Sequence, residues 1–348
     1  MEKLEKDMQR YINDIDSKLK RTKSDKLTCL LMVDLHKIFE MRDFYKLNIN
    51  IPNSVMDKYD RYSYFLSVYK DVYQDNYFYM YDENRKVADL YHHLNDYYGE
   101  SYFDLFKVKV SDSDILSYTN DFFNYYDKDI ASYFKYLVSN DKVHINMKYS
   151  DIQDADGYSV SIFNNRDGLV FVNGAATIEV ASTLIHEVVH SYVESFDYDI
   201  NYLEFCNQDV NNLHDVYPSF IELVFLKYLE EIKFDYSDIR SLATGNYATS
   251  IMRLGYFDDL VNKEKADILF DDAELMLDFI DNENYSYSFI LSEYFFNKYL
   301  KDPDKCKNDI LEFMLDTKRY DKKELLGNID SLVNKKKILK NMKNYYGY

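Results

Sequence analysis

Over residues 1–150, apolar and aromatic side chains recur three and four positions apart, the spacing of one helix face. Tyr62, Phe65, Leu66 and Tyr69 make one such stripe, and Phe122, Tyr125 and Tyr126 another. Pro52 marks a loop after an N-terminal helical pair, with Ser54 a candidate helix cap. Near residue 143 the period changes to two: Val143, Ile145 and Met147 alternate with polar neighbours, as in a half-buried strand. Gly157 reads as a turn. The run Val160–Phe163, a polar loop Asn164–Gly168 and the run Leu169–Val172 then form a hairpin signal, closed by Asn173-Gly174.

Beyond the hairpin the helical period returns. One amphipathic helix is predicted over roughly 178–195, with Thr177 as its cap and Glu179 in its first turn. A second is predicted over roughly 215–233, where Pro218 falls in the first turn and is tolerated. Residues 235–345 read as helical, and the Lys335–Lys343 stretch as a solvated face. No internal repeat or low-complexity linker interrupts the chain. The expected fold is therefore mainly α, with a small β-hairpin beside the 178–195 helix.

Composition agrees with that reading. Only 8 Gly and 3 Pro occur in 348 residues, too few for a many-turned β fold. With 37 Tyr, 23 Phe and no Trp, phenol and phenyl rings supply much of the core volume. The net charge of −19 repels nucleic-acid phosphates and anionic lipid, so neither nucleic acid nor membrane is an expected partner. Cys29, Cys206 and Cys306 are odd in number and form no CxxC, so buried thiols are expected rather than disulfides or a thiolate metal site. Met1–Arg21 is charged, without the apolar stretch of a signal peptide, which gives a cytoplasmic expectation.

Within the 178–195 helix lies His186-Glu187-Val188-Val189-His190. Positions i and i+4 share a helix face, so both imidazoles can reach one metal ion, with Glu187 a step round the helix facing a water on that ion. Its carboxylate would take the proton of the attacking water and pass it to a leaving amine. Two imidazoles are too few for a stable zinc site, and a third ligand must come from elsewhere. Asp215, Ser219 and Glu222 share one face of the next helix. Asp215 and Glu222 stand two turns apart, roughly 10 Å, so one could bind zinc while the other supports a ligand histidine. The plain alternative for Asp215 is a favourable charge at a helix N-terminus. His214 is a further candidate, but points off that face.

The stretches Gly168–Gly174, Thr183–His190 and Asp215–Leu229 resemble the strand, zinc helix and third-ligand helix of the thimet oligopeptidase and oligoendopeptidase F family. Asn284-Tyr285-Ser286-Tyr287-Ser288-Phe289 is similar to that family's tyrosine-rich segment. The resemblance covers about residues 130–300. It implies a large helical zincin-type metallopeptidase fold, one zinc ion, short peptides as substrates, and a role for Tyr285 or Tyr287 in holding the tetrahedral intermediate. The family's ligand glutamate would fall on Asp215 and its second glutamate on Glu222. Three positions depart from the family pattern: Val189 replaces its glycine, Val193 its further histidine, and Asp215 its ligand glutamate. On this reading residues 1–140 form an N-terminal helical region and 141–348 one continuous zincin-like catalytic region. An extended peptide is expected to pair with an open edge of strand 169–173.

Overall fold

The computed structural model describes residues 2–61, 110–146, 156–162, 167–174, 176–196, 213–234 and 273–317. The expectations for 62–109 (Tyr62–Tyr69 included), Met147, Cys206, 235–272 and 318–345 (Lys335–Lys343 included) lie outside them, as do those for the Cys29 side chain and for the hairpin tip over 163–166.

The chain is mainly α-helical, with one small sheet beside the histidine-bearing helix. In order the elements are α1 (Glu2–Arg21), α2 (Asp25–Tyr45), α3 (Asp112–Tyr126), α4 (Lys128–Ser139), β1 (Val143–Asn146), β2 (Asp156–Ile162), β3 (Asp167–Asn173), α5 (Glu179–Glu194), α6 (Val216–Glu231), α7 (Ala273–Tyr299) and α8 (Pro303–Asp316). A further helical stretch covers 53–61, where Ser54 donates to Asp16 Oδ1 at 3.0 Å rather than capping. Local signals account for several boundaries. Ser111 and Asp114 form a reciprocal capping box at the start of α3, and Asp127 caps α4 through the amides of Asp129 and Ile130.

Strand order in the sheet is β1-β3-β2, with β1 parallel and β2 antiparallel to β3. The hairpin is present, but β2 begins earlier than the sequence pattern suggests: Gly157 lies inside the strand, opposite Val172, and is not a turn residue. β3 is the central strand, paired on both sides, so the expected open edge at 169–173 is absent. Among the described residues the outer edge of the sheet on the hairpin side belongs to β2.

The unbroken apolar run of β3 follows from burial on both faces. Val170 and Val172 point into the larger core, with Ile185, Val188 and Val189 of α5, Phe122 and Phe123 of α3, and the apolar side of α6. Leu169 and Phe171 point the other way, against Leu4, Met8 and Ile12 of α1 and Leu35 and Ile38 of α2. A polar tie accompanies that second contact: Lys142, just before β1, donates to the Tyr11 hydroxyl at 2.6 Å.

The expected amphipathic character of α5 gives way to burial on nearly every side, because the sheet, α3 and α6 all pack on it. Only a polar stripe, Thr183, His186, His190 and Glu194, keeps partial exposure along with Tyr192. Thr177 does not cap this helix: the N-cap position is Ile178, without a side-chain bond, and Thr177 Oγ1 is buried with no hydrogen-bond partner among the described residues. Cys306, as expected for a structural thiol, is buried and donates to the Phe295 carbonyl, and burial pushes it up to about 12. No helix among the described residues is long and apolar enough to cross a membrane.

Phe171 joins the sheet to the N-terminal helices and is fully enclosed. Phe171→Ala is therefore expected to lower the unfolding free energy by about 3–5 kcal/mol. Urea unfolding checks this, and a loss under about 1 kcal/mol would mean that face of β3 is not a core.

Candidate metal centre

Three of the residues singled out from the sequence converge. His186 Nε2 and His190 Nε2 lie 3.1 Å apart, one turn along α5, with their rings tilted 67° to one another. Asp215, at the start of α6, brings Oδ1 to 3.4 Å from His186 Nε2 and 3.0 Å from His190 Nε2. Its side chain makes no helix-capping bond. Asp215 thus stands at the N-cap position of α6, where a negative charge is favourable, with its carboxylate turned towards the imidazoles.

These three atoms form a group that could hold a metal ion. Zinc–ligand bonds of about 2.0–2.1 Å in a tetrahedron place neighbouring ligand atoms about 3.3–3.4 Å apart. The observed separations of 3.1, 3.4 and 3.0 Å fall close to that edge length. The donor set, two imidazoles and a carboxylate, is also one that zinc takes.

Glu222 occupies a different place. Its Oε2 is 3.5 Å from His186 Nδ1, the nitrogen on the far side of the ring from the cluster. Its Oε1 accepts from Ser182 Oγ at 3.4 Å, linking α6 back to α5. Glu222 is the one position between Val216 and Leu226 that is not fully buried. His214 joins the group from outside. Its ring lies 5.0 Å from that of His190, with Nε2 3.7 Å from Asp215 Oδ2, and its side chain is 49% exposed. The cluster itself is recessed, with the side chains of His186, His190 and Asp215 exposed by 20%, 12% and 13%.

Charge in this pocket is unevenly shared. Burial works against a charged His186, yet the carboxylates of Glu222, Asp215 and Glu187 outweigh it and hold the imidazole well above its ordinary value. Burial pushes His190 down to about 4, with Asp215 opposing and the charge of His186 reinforcing the shift. Burial also disfavours an ionised Asp215, but His214, His186 and His190 around it hold its carboxyl well below the usual carboxylate range. In the protein alone, a proton on His186 balances part of the surrounding negative charge. A divalent cation would take over that balance.

Glu187 is buried on the strand side of α5, against Gly157 of β2. The two candidate phenols differ in setting. Tyr285 on α7 is 51% exposed, whereas Tyr287 is 1% exposed and packs in the larger core. α7 rests on α6, the helix that carries Asp215 and Glu222. Sequence reasoning gave no role at the motif to Gly157, Ser182 or Thr183, which adjoin it from β2 and from α5 itself.

No family model matches the chain. No curated protein matches it either. Two solved structures match it in part. One, from Bacillus anthracis str. Ames and assigned as an oligoendopeptidase F, is 12% identical with a TM-score of 0.49, over 81% of this chain and 55% of that one. The other, also assigned as an oligoendopeptidase F, is 11% identical with a TM-score of 0.45, over 81% and 57%. The chain thus spans little more than half the length of the structures it matches.

A metal must displace the proton that His186 retains at neutral pH, while His190 is already neutral above about pH 4. Zinc binding is therefore expected to release about one proton per ion near neutral pH and to weaken as pH falls. Titration calorimetry in buffers of different ionisation enthalpy checks this; no proton release, or tighter binding in acid, would contradict it.

Proposed function

We propose that the chain is a metal-dependent hydrolase, with His186, His190 and Asp215 as the metal ligands. More particularly, we propose a zinc peptidase acting on short peptides. The observation that carries this reading is the meeting of Asp215 Oδ1 with both imidazole Nε2 atoms, in a recess beside the buried carboxylate of Glu187.

A zinc ion held there would supply a Lewis acid for the scissile carbonyl and a polarised water as nucleophile. The remaining work falls to the chain's own side chains. Glu187 accepts a proton from the attacking water on its carboxylate and returns it to the departing nitrogen. Glu222, 3.5 Å from His186 Nδ1, would hold that ring so that Nε2 faces an ion bound there. Its position behind the ring supports a positioning role over that of third ligand. The outer edge of β2, rather than that of β3, is proposed to pair with an extended peptide. Tyr285 is the phenol proposed to donate to the developing oxyanion, since its side chain reaches solvent and that of Tyr287 is closed in the core. The recessed ligands favour a slender, unfolded chain as substrate over a folded surface.

Glu187→Gln keeps the shape of the side chain and removes the base. Turnover of a quenched-fluorescent peptide library is expected to fall by about two to four powers of ten, with one zinc still bound per chain. Undiminished cleavage by the zinc-loaded variant would show that Glu187 is not the base. A zinc-loaded wild-type chain that cuts no peptide would end the peptidase reading.

A further inference from the structure

We infer that Gly157 is a positioning residue for Glu187: the missing side chain lets strand β2 close on the glutamate and fix the direction of its carboxylate. The inference rests on the role proposed above for Glu187.

A Cβ placed on Gly157 would lie 2.6 Å from Glu187 Cγ, 2.7 Å from Thr183 Cγ2 and 3.0 Å from Glu187 Oε1. The first two distances are shorter than real side chains show, and both belong to side chains on a buried helix. The backbone at 157 is outside the left-handed region, so glycine is needed for space and not for its conformational freedom. Neither wall can easily retreat. Gly157 is in register with Val172, and β2 pairs with β3 from Asp156↔Asn173 to Ile162↔Asp167. On the other side α5 is packed by α3, α6 and the sheet. The next residue of β2 on the same face, Ser159 opposite Val170, is also small and buried. This strand therefore offers α5 a shallow floor, and Glu187 lies across it.

Held between Gly157 and its own helix, the Glu187 chain loses much of its torsional freedom. Such restriction matters for a base, because a shift of about 1 Å in a reacting group can cost on the order of a hundredfold in rate. Thr183, one turn earlier on α5, closes the side of the same slot.

The test compares Gly157→Ala, Glu187→Ala and the double variant, all zinc-loaded, in urea unfolding and zinc content, with peptide turnover for the first. Gly157→Ala is expected to lower the urea midpoint, keep one zinc per chain, and lose about a hundredfold in kcat with KM near wild type. In the Glu187→Ala background the added methyl should cost less than in the wild type, because one of the two side chains it strikes is gone. Gly157→Ala/Thr183→Ser, which removes the second obstructing methyl, should regain part of kcat. Strictly additive unfolding effects, loss of zinc, or wild-type kcat in Gly157→Ala would overturn the inference and leave the hydrolase reading standing. If Gly157→Ala does not fold, Gly157→Ala/Glu187→Ala decides: folding restored supports the clamp, and a second failure assigns the glycine to the strand and its contact with Thr183 instead. Absence of peptide turnover in the wild type would end the hydrolase reading, while the unfolding cycle would still report whether 157 and 187 are coupled.

Discussion

One carboxylate oxygen, Asp215 Oδ1, faces two imidazole nitrogens at once, and the rest of the site depends on that meeting. It joins α5 to α6 where these two largely apolar helices bring complementary polar atoms together. An acid buried among apolar residues is costly unless paired. Here the pairing is with two imidazole nitrogens, so the cost is offset. Glu222 repeats the tie from the other side of the His186 ring, through Nδ1 and Ser182. The ring is thus gripped at both nitrogens.

The scaffold makes this arrangement stiff. α5 is buried by the sheet, by α3 and by α6, leaving the stripe Thr183, His186, His190 and Glu194 towards the recess. Tyr133 of α4 adds a bond to Ser191 Oγ at 2.7 Å. β3 packs on both faces, holding α5 on one and α1 with α2 on the other. Such a helix has little room to rotate, so the angular offset between Glu187 and His186, one residue apart, is held by packing in three directions. Glycine at 157 lets the sheet approach close enough to complete the third.

Much of this was legible in the chain. The i, i+4 histidines needed only helical geometry, and of the stripe Phe122, Tyr125 and Tyr126 the first and last placed α3 in the core, whereas Tyr125 is exposed. The hairpin was legible from its flanking apolar runs. Other features were hidden for physical reasons. A glycine among polar residues reads as a turn, because its space-saving role depends on a helix that comes close only in the fold. One signal was available: positions 157, 159 and 161 are Gly, Ser and Ser, an alternation of small residues on one strand face. β3 could not be recognised as central, since an apolar run is shared by any strand covered on both faces. Asp215 and Glu222 could not be ranked from spacing alone, because the direction each carboxylate takes depends on how α6 crosses α5. Thr177 looked like a cap, yet the chain enters α5 through Ile178 in helical conformation.

The central claim is that one ion sits between both imidazoles and a carboxylate. X-ray absorption at the zinc edge of the stoichiometrically loaded protein addresses it directly. The account predicts two imidazole nitrogens, with their characteristic multiple scattering, plus carboxylate oxygen at about 2.0–2.1 Å. A spectrum with oxygen neighbours only, or with a single imidazole, would contradict it.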